Sequence, residues 1–228
     1  MRSFFLSILI FCVFTATAQT NYTGEYGYTE SFQQLKKRHP GISDEESGYE
    51  SRLIFLRLNK QQYRFWLYVI KGYPSYNSGQ VEGTVKVEGN KGVFRYTDSI
   101  SGSECVLKFW FTNTAVTVEE QQGDCGFGAN VSAYGRHPKI NSKIPSTATI
   151  AAMGQAEVQR YTISVDKAAI YPAANSSKST GQYFIRGDEV YVFDETKDRI
   201  YFQHVTKKGR FVEGWLDNSS VRAAAKNN

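Results

Sequence analysis

The segment YESRLIFLRLNKQQYRFWLYVI, residues 49–70, decides the fold class. Two stretches alternate with a period of two residues, Tyr49–Leu58 and Tyr63–Ile70, and the polar turn Asn59–Gln61 joins them. A period of two places successive side chains on opposite faces of a strand, whereas a helix would need apolar residues every three to four positions. The segment therefore predicts an antiparallel β-hairpin.

The same alternation recurs on both sides of this hairpin. Further strands are predicted over Gly24–Tyr28, Val81–Val87, Val93–Tyr96, Cys105–Phe111 and Ala115–Glu119, and residues 123–134 are expected to close the region. Consecutive hairpins without long crossovers predict an antiparallel meander of about eight strands. Such a meander hides its edges best by curling into a lipocalin-like barrel. The polar stretch Gln33–Pro40 is compatible with a helical turn or a loop.

Eight aromatic residues of these strands are expected mainly in the barrel core, because large rings fill the interior of a small barrel. They are Phe65, Trp66, Tyr68, Phe94, Tyr96, Phe109, Trp110 and Phe111.

The first eighteen residues have the pattern of a cleaved secretory signal. A short basic start precedes the apolar run Phe4–Phe14, and Ala16–Ala18 supplies the small residues before a cleavage site at Gln19. The run is shorter than the roughly 20 residues that span a bilayer as a helix, so no membrane span is expected in the mature chain. Residues 1–18 therefore predict export, to a periplasmic or extracellular location.

The mature chain is mildly basic. Removal of Arg2 leaves 26 basic against 22 acidic residues, a difference of +4. These charges are interspersed, which fits contact with anionic surfaces such as cell-wall polymers or lipid headgroups and not a nucleic-acid-binding stripe.

The cysteines predict one disulfide. Cys12 leaves with the signal; a lipoprotein in which it is acylated is the alternative, but bulky Phe11 precedes it where a small residue is required. Cys105 and Cys125 remain, an even count in an oxidising compartment, and a bond between them is expected. Closing a loop of this length would stabilise the fold by about 3 kcal/mol in the chain-entropy model.

A change in composition divides the chain. Residues 139–156 are mostly small and polar, which predicts a linker that carries at most one helical turn. We therefore expect a disulfide-containing barrel over residues 19–138, a second β domain over 157–221 and a disordered tail over 222–228.

The second domain carries a spaced series of motifs. The series is Ala169–Pro172, Phe184–Val190, Asp198–Phe202, Lys207–Arg210 and the Gly-Trp-aliphatic segment Gly214–Leu216. It resembles the bacterial SH3-like (SH3b) domains, which are small five-stranded barrels of exported envelope proteins. The resemblance implies contact with peptidoglycan or with a protein partner. Tyr171, Tyr201 and Trp215 are the candidate binding residues, because their rings combine flat apolar area with a polar tip. The alternative is that Trp215 belongs to the core.

The first domain carries a second signature. Cys105–Phe111 reads Cys-x-Leu-x-Phe-x-Phe and is followed by Cys125–Gly126–Phe127–Gly128. This resembles small exported bacterial barrels whose function is mostly unassigned, and it places Leu107, Phe109 and Phe111 on one face with Cys105. Bacterial lysozyme inhibitors are barrels of similar size and carry a Ser-Gly-x-x-Tyr loop. None of the Ser-Gly pairs of this chain is followed by tyrosine at that spacing.

Catalytic and metal-binding patterns are weak. Asp124–Cys125 resembles the Asp-Cys-Ser-Gly nucleophile of papain-like cell-wall endopeptidases, but the serine is absent and the glycines that follow disfavour a helix. His137 is expected in a loop beside Pro138 and His204 in a hairpin; with His39, these histidines are too scattered to predict a metal site. We therefore expect that the protein is not an enzyme and that it binds neither a cofactor nor a metal ion.

The sequence therefore predicts an exported, non-catalytic, cell-envelope binding or adaptor protein. Two alternatives stay open, which are carriage of a small apolar ligand inside the first barrel and inhibition of a cell-wall hydrolase. The oligomeric state is also open.

Overall fold

The structure, a computed structural model, describes residues 20–97, 102–153 and 158–224, except for the side chains of residues 120–122. The predicted signal, residues 1–18, lies outside the described residues. Strands account for 51% of the chain and helices for 8%, which confirms the all-β class. In the described ranges, no helix is long and apolar enough to cross a membrane.

The first eight strands form a closed antiparallel barrel in chain order, with β1 pairing back onto β8. Their bounds are β1 Gly24–Thr29, β2 Glu50–Arg57, β3 Gln62–Ile70, β4 Ser78–Glu88, β5 Lys91–Thr97, β6 Glu104–Phe111, β7 Ala115–Gly123 and β8 Gly135–Asn141. The long connections 30–49, 71–77 and 124–134 lie at one end, which we call the loop end. Short turns close the other end.

The closing strand differs from the prediction. Residues 124–134 connect β7 to β8, and the barrel closes through Gly135–Asn141. His137 is consequently a buried strand residue and not a loop residue. The sequence misled because proline usually marks a loop or a sheet edge; here Pro138 is tolerated where β1 pairs with β8 only at Lys139 and Asn141. The barrel therefore extends three residues into the range predicted as linker.

The barrel interior is filled with aromatic rings. Phe55 lies 5.0 Å from Phe111 and 5.5 Å from Phe109 between ring centroids, and Phe65 lies 5.0 Å from Phe94. Leu107, Phe109 and Phe111 are buried on one face with Cys105, as the sequence predicts. The Cys105–Cys125 disulfide is formed and joins β6 to the connection before β8.

Four of the eight predicted core aromatics lie elsewhere. Trp66 and Tyr68 pack outside the barrel in a separate cluster, and Trp110 lies half-buried beneath the Lys91 ammonium at 3.9 Å. Tyr96 is 50% exposed. Its exposure follows from the pairing of β4 with β5, which covers only Lys86–Glu88 against Lys91–Val93 and ends before Tyr96.

Residues 158–224 form a second small β unit with its own core. Its strands are β9 Gln159–Ile163, β10 Lys167–Ala169, β11 Tyr183–Ile185, β12 Glu189–Glu195, β13 Arg199–Val205, β14 Phe211–Asp217 and β15 Val221–Ala223. Five of them make an antiparallel sheet in the order β14–β13–β12–β9–β15, and β10 pairs with β11. The bridge between Tyr171 and Trp215 joins the chain after β10 to β14.

Two short α-helices and a 3-10 turn at Asn218–Ser220 complete the described fold. Helix α1 (Phe32–Arg38) begins at a capping box of Ser31 and Gln34, which explains part of the polar segment after β1. Helix α2 (Thr147–Ala151) is the predicted helical turn between the two units.

The two units are packed against each other. Ile54, Leu56 and Trp66 on the outside of the barrel form one buried cluster with Ile150 and Met153 beside α2 and with Val205 of β13. The Trp66 indole N–H donates to the Gln203 side-chain oxygen at 3.0 Å. Residues of the predicted linker therefore belong to a buried junction, and we refer to this contact as the junction.

Candidate functional site

The structure brings the three predicted binding residues together in one row across three neighbouring segments. Tyr201 of β13 is paired with Trp215 of β14, and Tyr171 is bridged to Trp215 by two backbone hydrogen bonds of 2.9 Å. Residues directly opposite in an antiparallel pair project to the same face. The Tyr201 and Trp215 rings are 5.5 Å apart between centroids. We call Tyr171, Tyr201 and Trp215 the aromatic row.

The row lies on the face of the sheet opposite the core of the second unit. Ile200, Phe202 and Leu216, which flank the row residues along β13 and β14, are buried in that core. The row residues themselves are half-buried. Trp215 is therefore outside the core, contrary to the alternative interpretation of its Gly-Trp-aliphatic motif.

Gly214 explains how the third member of the row reaches the sheet. A Cβ atom at this position would lie 2.8 Å from both the Ile170 Cγ2 atom and the Tyr171 carbonyl oxygen. Only a residue without a side chain permits the segment after β10 to approach β14 this closely. The glycine of the motif thus places Tyr171 beside Trp215.

Arg199 fixes the loop that borders the row. Its guanidinium carbon lies 3.7 Å from the centre of the Tyr171 ring, and its Nε donates to Asp217 at 3.1 Å. Its Nη1 donates to the carbonyl oxygens of Ala173, Ala174 and Ser176. One side chain therefore holds both the ring of Tyr171 and the loop 173–180 that follows it.

The polar tips of the row differ in their partners. The Tyr201 hydroxyl donates to the Glu213 carboxylate at 2.5 Å, and burial, assisted by this bond, raises the pKa of Tyr201. Within the described residues, the Trp215 indole N–H and the Tyr171 hydroxyl have no hydrogen-bond partner, and neither is an orphaned buried group. The row therefore offers stacking area together with donors that remain available to a ligand.

The inner end of the row meets the junction. The Gln203 amide nitrogen donates to Glu82 of β4 at 2.9 Å and lies 3.5 Å from the Tyr201 hydroxyl. Arg64 of β3 contacts Glu82 at 2.8 Å and Glu213 at 3.4 Å. A chain of polar contacts thus runs from the first barrel to the row.

Sequence reasoning did not include Arg199 and Glu213 in the site. The signal that could have identified them is the strand period, because Arg199 precedes Tyr201 by two positions and Glu213 precedes Trp215 by two. Residues at this spacing share a face.

The cysteine and the histidines that were considered for an endopeptidase site have other roles in the structure. The Cys125 sulfur is bonded to Cys105, so no free thiol is present at Asp124–Cys125. His137 is hydrogen-bonded to Ser51, and His204 lies half-buried in β13, where burial lowers its pKa.

A pocket of about 430 Å³ adjoins the disulfide and is lined by Glu82, Tyr96 and Asp124 among others. In the described part of the chain, no group of three His, Cys, Asp or Glu side chains is placed to hold a metal ion.

Comparison with known proteins adds no family to these observations: no family model and no curated protein matches the chain.

Proposed function

We propose that this chain is an exported, non-catalytic binding protein of the cell envelope, and that its aromatic row contacts peptidoglycan. The observation that carries the proposal is the row itself, in which Tyr171, Tyr201 and Trp215 lie side by side on one face of the second unit. Half-buried rings with available N–H and O–H groups suit the apolar faces and hydroxyl groups of sugars and the backbone of short peptides.

Three features of the sequence agree with the proposal. Residues 1–18 have the pattern of an export signal, the mature chain is mildly basic, and the second unit resembles SH3b domains. A basic protein is attracted to an anionic polymer such as the cell wall.

The junction suggests how such a protein would work. It connects the first barrel to the sheet that bears the row through apolar packing and the Trp66–Gln203 hydrogen bond. An adaptor of this kind would hold the first barrel in a fixed orientation at the surface that the row contacts.

The first alternative, carriage of an apolar ligand, has less support. Aromatic rings at centroid separations of 5.0 to 5.5 Å occupy the interior of the first barrel, where such a ligand would have to bind. We therefore do not propose it.

Co-sedimentation with purified peptidoglycan sacculi tests the proposal. The mature chain is expected to sediment with sacculi at moderate salt, and Trp215→Ala is expected to reduce the bound fraction at least about fivefold, because aromatic anchors dominate binding energy. Tyr183→Ala is the matched control, since Tyr183 is an aromatic residue of the same unit that is 51% exposed and outside the row. Absence of binding by the unchanged protein, or equal loss in both variants, would contradict the proposal.

A further inference from the structure

The loop end of the first barrel carries a second concave site, which is independent of the aromatic row. A pocket of about 300 Å³ lies between the end of β1 and the starts of β2 and β8. Three tyrosines line it, Tyr28, Tyr49 and Tyr134. Tyr28 is 43% and Tyr134 68% exposed, although both are large aromatic residues. We call this site the tyrosine pocket.

The innermost polar groups of the pocket are a buried Ser–His pair. The Ser51 Oγ atom lies 2.6 Å from the His137 Nε2 atom, and the His137 Nδ1 atom lies 3.2 Å from the Gly135 carbonyl oxygen. A carbonyl oxygen only accepts, so in the neutral ring Nδ1 carries the proton and Nε2 accepts from the Ser51 hydroxyl. Burial lowers the pKa of His137 and so favours this neutral form. The Ser51 oxygen then retains its lone pairs as acceptors.

Several polar groups at the rim of the pocket have no partner within the described part of the protein, unlike the buried Ser51–His137 pair. The Arg136 guanidinium and the hydroxyl groups of Tyr28 and Tyr134 have no hydrogen-bond or ion-pair partner among the described residues. The Tyr49 hydroxyl, in contrast, is held by donation to the Ser132 carbonyl oxygen at 2.6 Å, which fixes that ring at the edge of the pocket. The lining residues of the pocket therefore supply donors without partners, and the buried Ser51 supplies an acceptor.

We infer that the tyrosine pocket binds a saccharide, with one pyranose ring packed against the exposed tyrosine rings. A pyranose presents C–H faces that pack on aromatic rings and hydroxyl groups that both donate and accept. A sugar hydroxyl can donate to Ser51, and its ring and hydroxyl oxygens can accept from Arg136 and the tyrosine tips. A purely apolar ligand would leave these groups without partners, which is unfavourable. A cation is disfavoured by the charge of Arg136.

Binding of soluble oligosaccharides to the full mature chain tests this inference. The probes are tetrasaccharides of glucose, of N-acetylglucosamine and of galacturonic acid, measured by ligand-observed NMR and by titration calorimetry. At least one probe is expected to bind, and Tyr134→Ala is expected to weaken its binding at least about tenfold. Arg136→Gln is the second variant; both side chains are exposed, so neither substitution should disturb folding.

The controls separate this site from the aromatic row. Tyr183→Ala should leave tetrasaccharide binding unchanged, because Tyr183 lies outside both the tyrosine pocket and the aromatic row. Trp215→Ala tells the two sites apart, because it removes a residue of the row and none of the tyrosine pocket. Failure of all three probes to bind would overturn the inference, and so would binding that is unaffected by both Tyr134→Ala and Arg136→Gln. Binding lost in Trp215→Ala alone would assign the saccharide to the row instead.

Discussion

A single side chain, that of Arg199, organises the aromatic row and the loop beside it. Arg199 connects the Tyr171 ring, Asp217 and three carbonyl oxygens of the loop 173–180, so one guanidinium satisfies several groups that would otherwise need separate partners. A planar guanidinium with five donors can do this, whereas the single ammonium of lysine cannot.

Arg199→Lys is therefore expected to release the loop. Hydrogen exchange of the backbone amides in residues 173–180 should become faster, and the free energy of unfolding should fall by about 1–3 kcal/mol, the usual range for lost hydrogen bonds to a charged group. Arg186→Lys is the control, because the Arg186 side chain is 64% exposed and, among the residues that the structure describes, pairs only with Asp166. If exchange in the loop is the same in both variants, Arg199 does not anchor it.

His137 predicts a pH dependence of stability. Burial lowers its folded-state pKa below the ordinary value of 6.5, so at acidic pH the unfolded chain binds a proton that the folded chain does not. The stabilisation conferred by the neutral ring is complete above about pH 6.5 and is lost as the pH falls from there to the folded-state pKa.

Urea unfolding at pH 8, 6.5 and 5 measures this effect. The unchanged protein should lose more stability between pH 8 and pH 5 than His137→Gln, in which the titrating group is absent. His39→Gln serves as the control, since His39 lies at the end of α1, outside the barrel strands. Parallel losses in the unchanged protein and in His137→Gln would show that His137 does not titrate on unfolding.

At the scale of elements, strand alternation predicted most of the first barrel. The hairpin of β2 and β3 and the hairpin of β6 and β7 were identified within one or two residues at all but one of their ends, because alternation is strict where one face is buried. The end of β7 and the closing strand β8 were missed. The sequence Arg136–His137–Pro138 is polar and contains proline, whereas the hydrogen bonds of His137 to Ser51 and to the Gly135 carbonyl oxygen, which explain the burial of His137, appear only in the structure.

The close packing of the Phe94 ring of β5 against Gly83 of β4 gives a prediction at the scale of elements. A Cβ atom at Gly83 would lie 2.2 Å from a ring carbon of Phe94, so the ring occupies the space of a side chain. Gly83→Ala is expected to lower the free energy of unfolding by about 1–3 kcal/mol, the usual cost of overpacking.

Two variants check the cause of that loss in urea unfolding. Gly41→Ala should be nearly neutral, because, apart from the neighbours of Gly41 in the chain, no heavy atom of the described residues lies within 4 Å of the added Cβ. Phe94→Leu should cost less in the Gly83→Ala background than in the unchanged protein, because the smaller side chain relieves the clash. If the losses in free energy of unfolding of Gly83→Ala and Phe94→Leu simply add in the double variant, the two positions do not interact.

At the scale of the whole molecule, the sequence predicted two β units but not how they meet. Tyr171, Tyr201 and Trp215 were selected one by one for their chemistry, and their common row depends on the pairing of β13 with β14 and on the bridge after β10. The junction was not predicted, since Trp66 was expected in the barrel core as a large aromatic residue and its partner Gln203 is 137 positions away. Periodicity within a strand carries no information about contacts at such separations.

The junction predicts that the two units unfold together. Trp66→Ala removes a buried ring and the hydrogen bond to Gln203, and should lower stability by about 3–5 kcal/mol. Hydrogen exchange should show residues 158–224 opening independently of the barrel in this variant. Trp110→Ala is the control, because Trp110 lies on β6 beneath Lys91 and outside the junction cluster; if the units separate equally in both variants, the junction does not couple them.

The most direct test of the central proposal observes Trp215 while peptidoglycan binds. The chain contains three tryptophans, and each gives an indole N–H signal in a nitrogen–proton correlation spectrum, which Trp215→Phe assigns. On addition of soluble muropeptides from digested sacculi, the Trp215 signal should shift in a saturable manner while the signal of Trp66, buried in the junction, stays in place. An unmoved Trp215 signal at saturating muropeptide, in protein that still shows the Trp66 signal, would contradict the assignment of the aromatic row as the peptidoglycan-binding site.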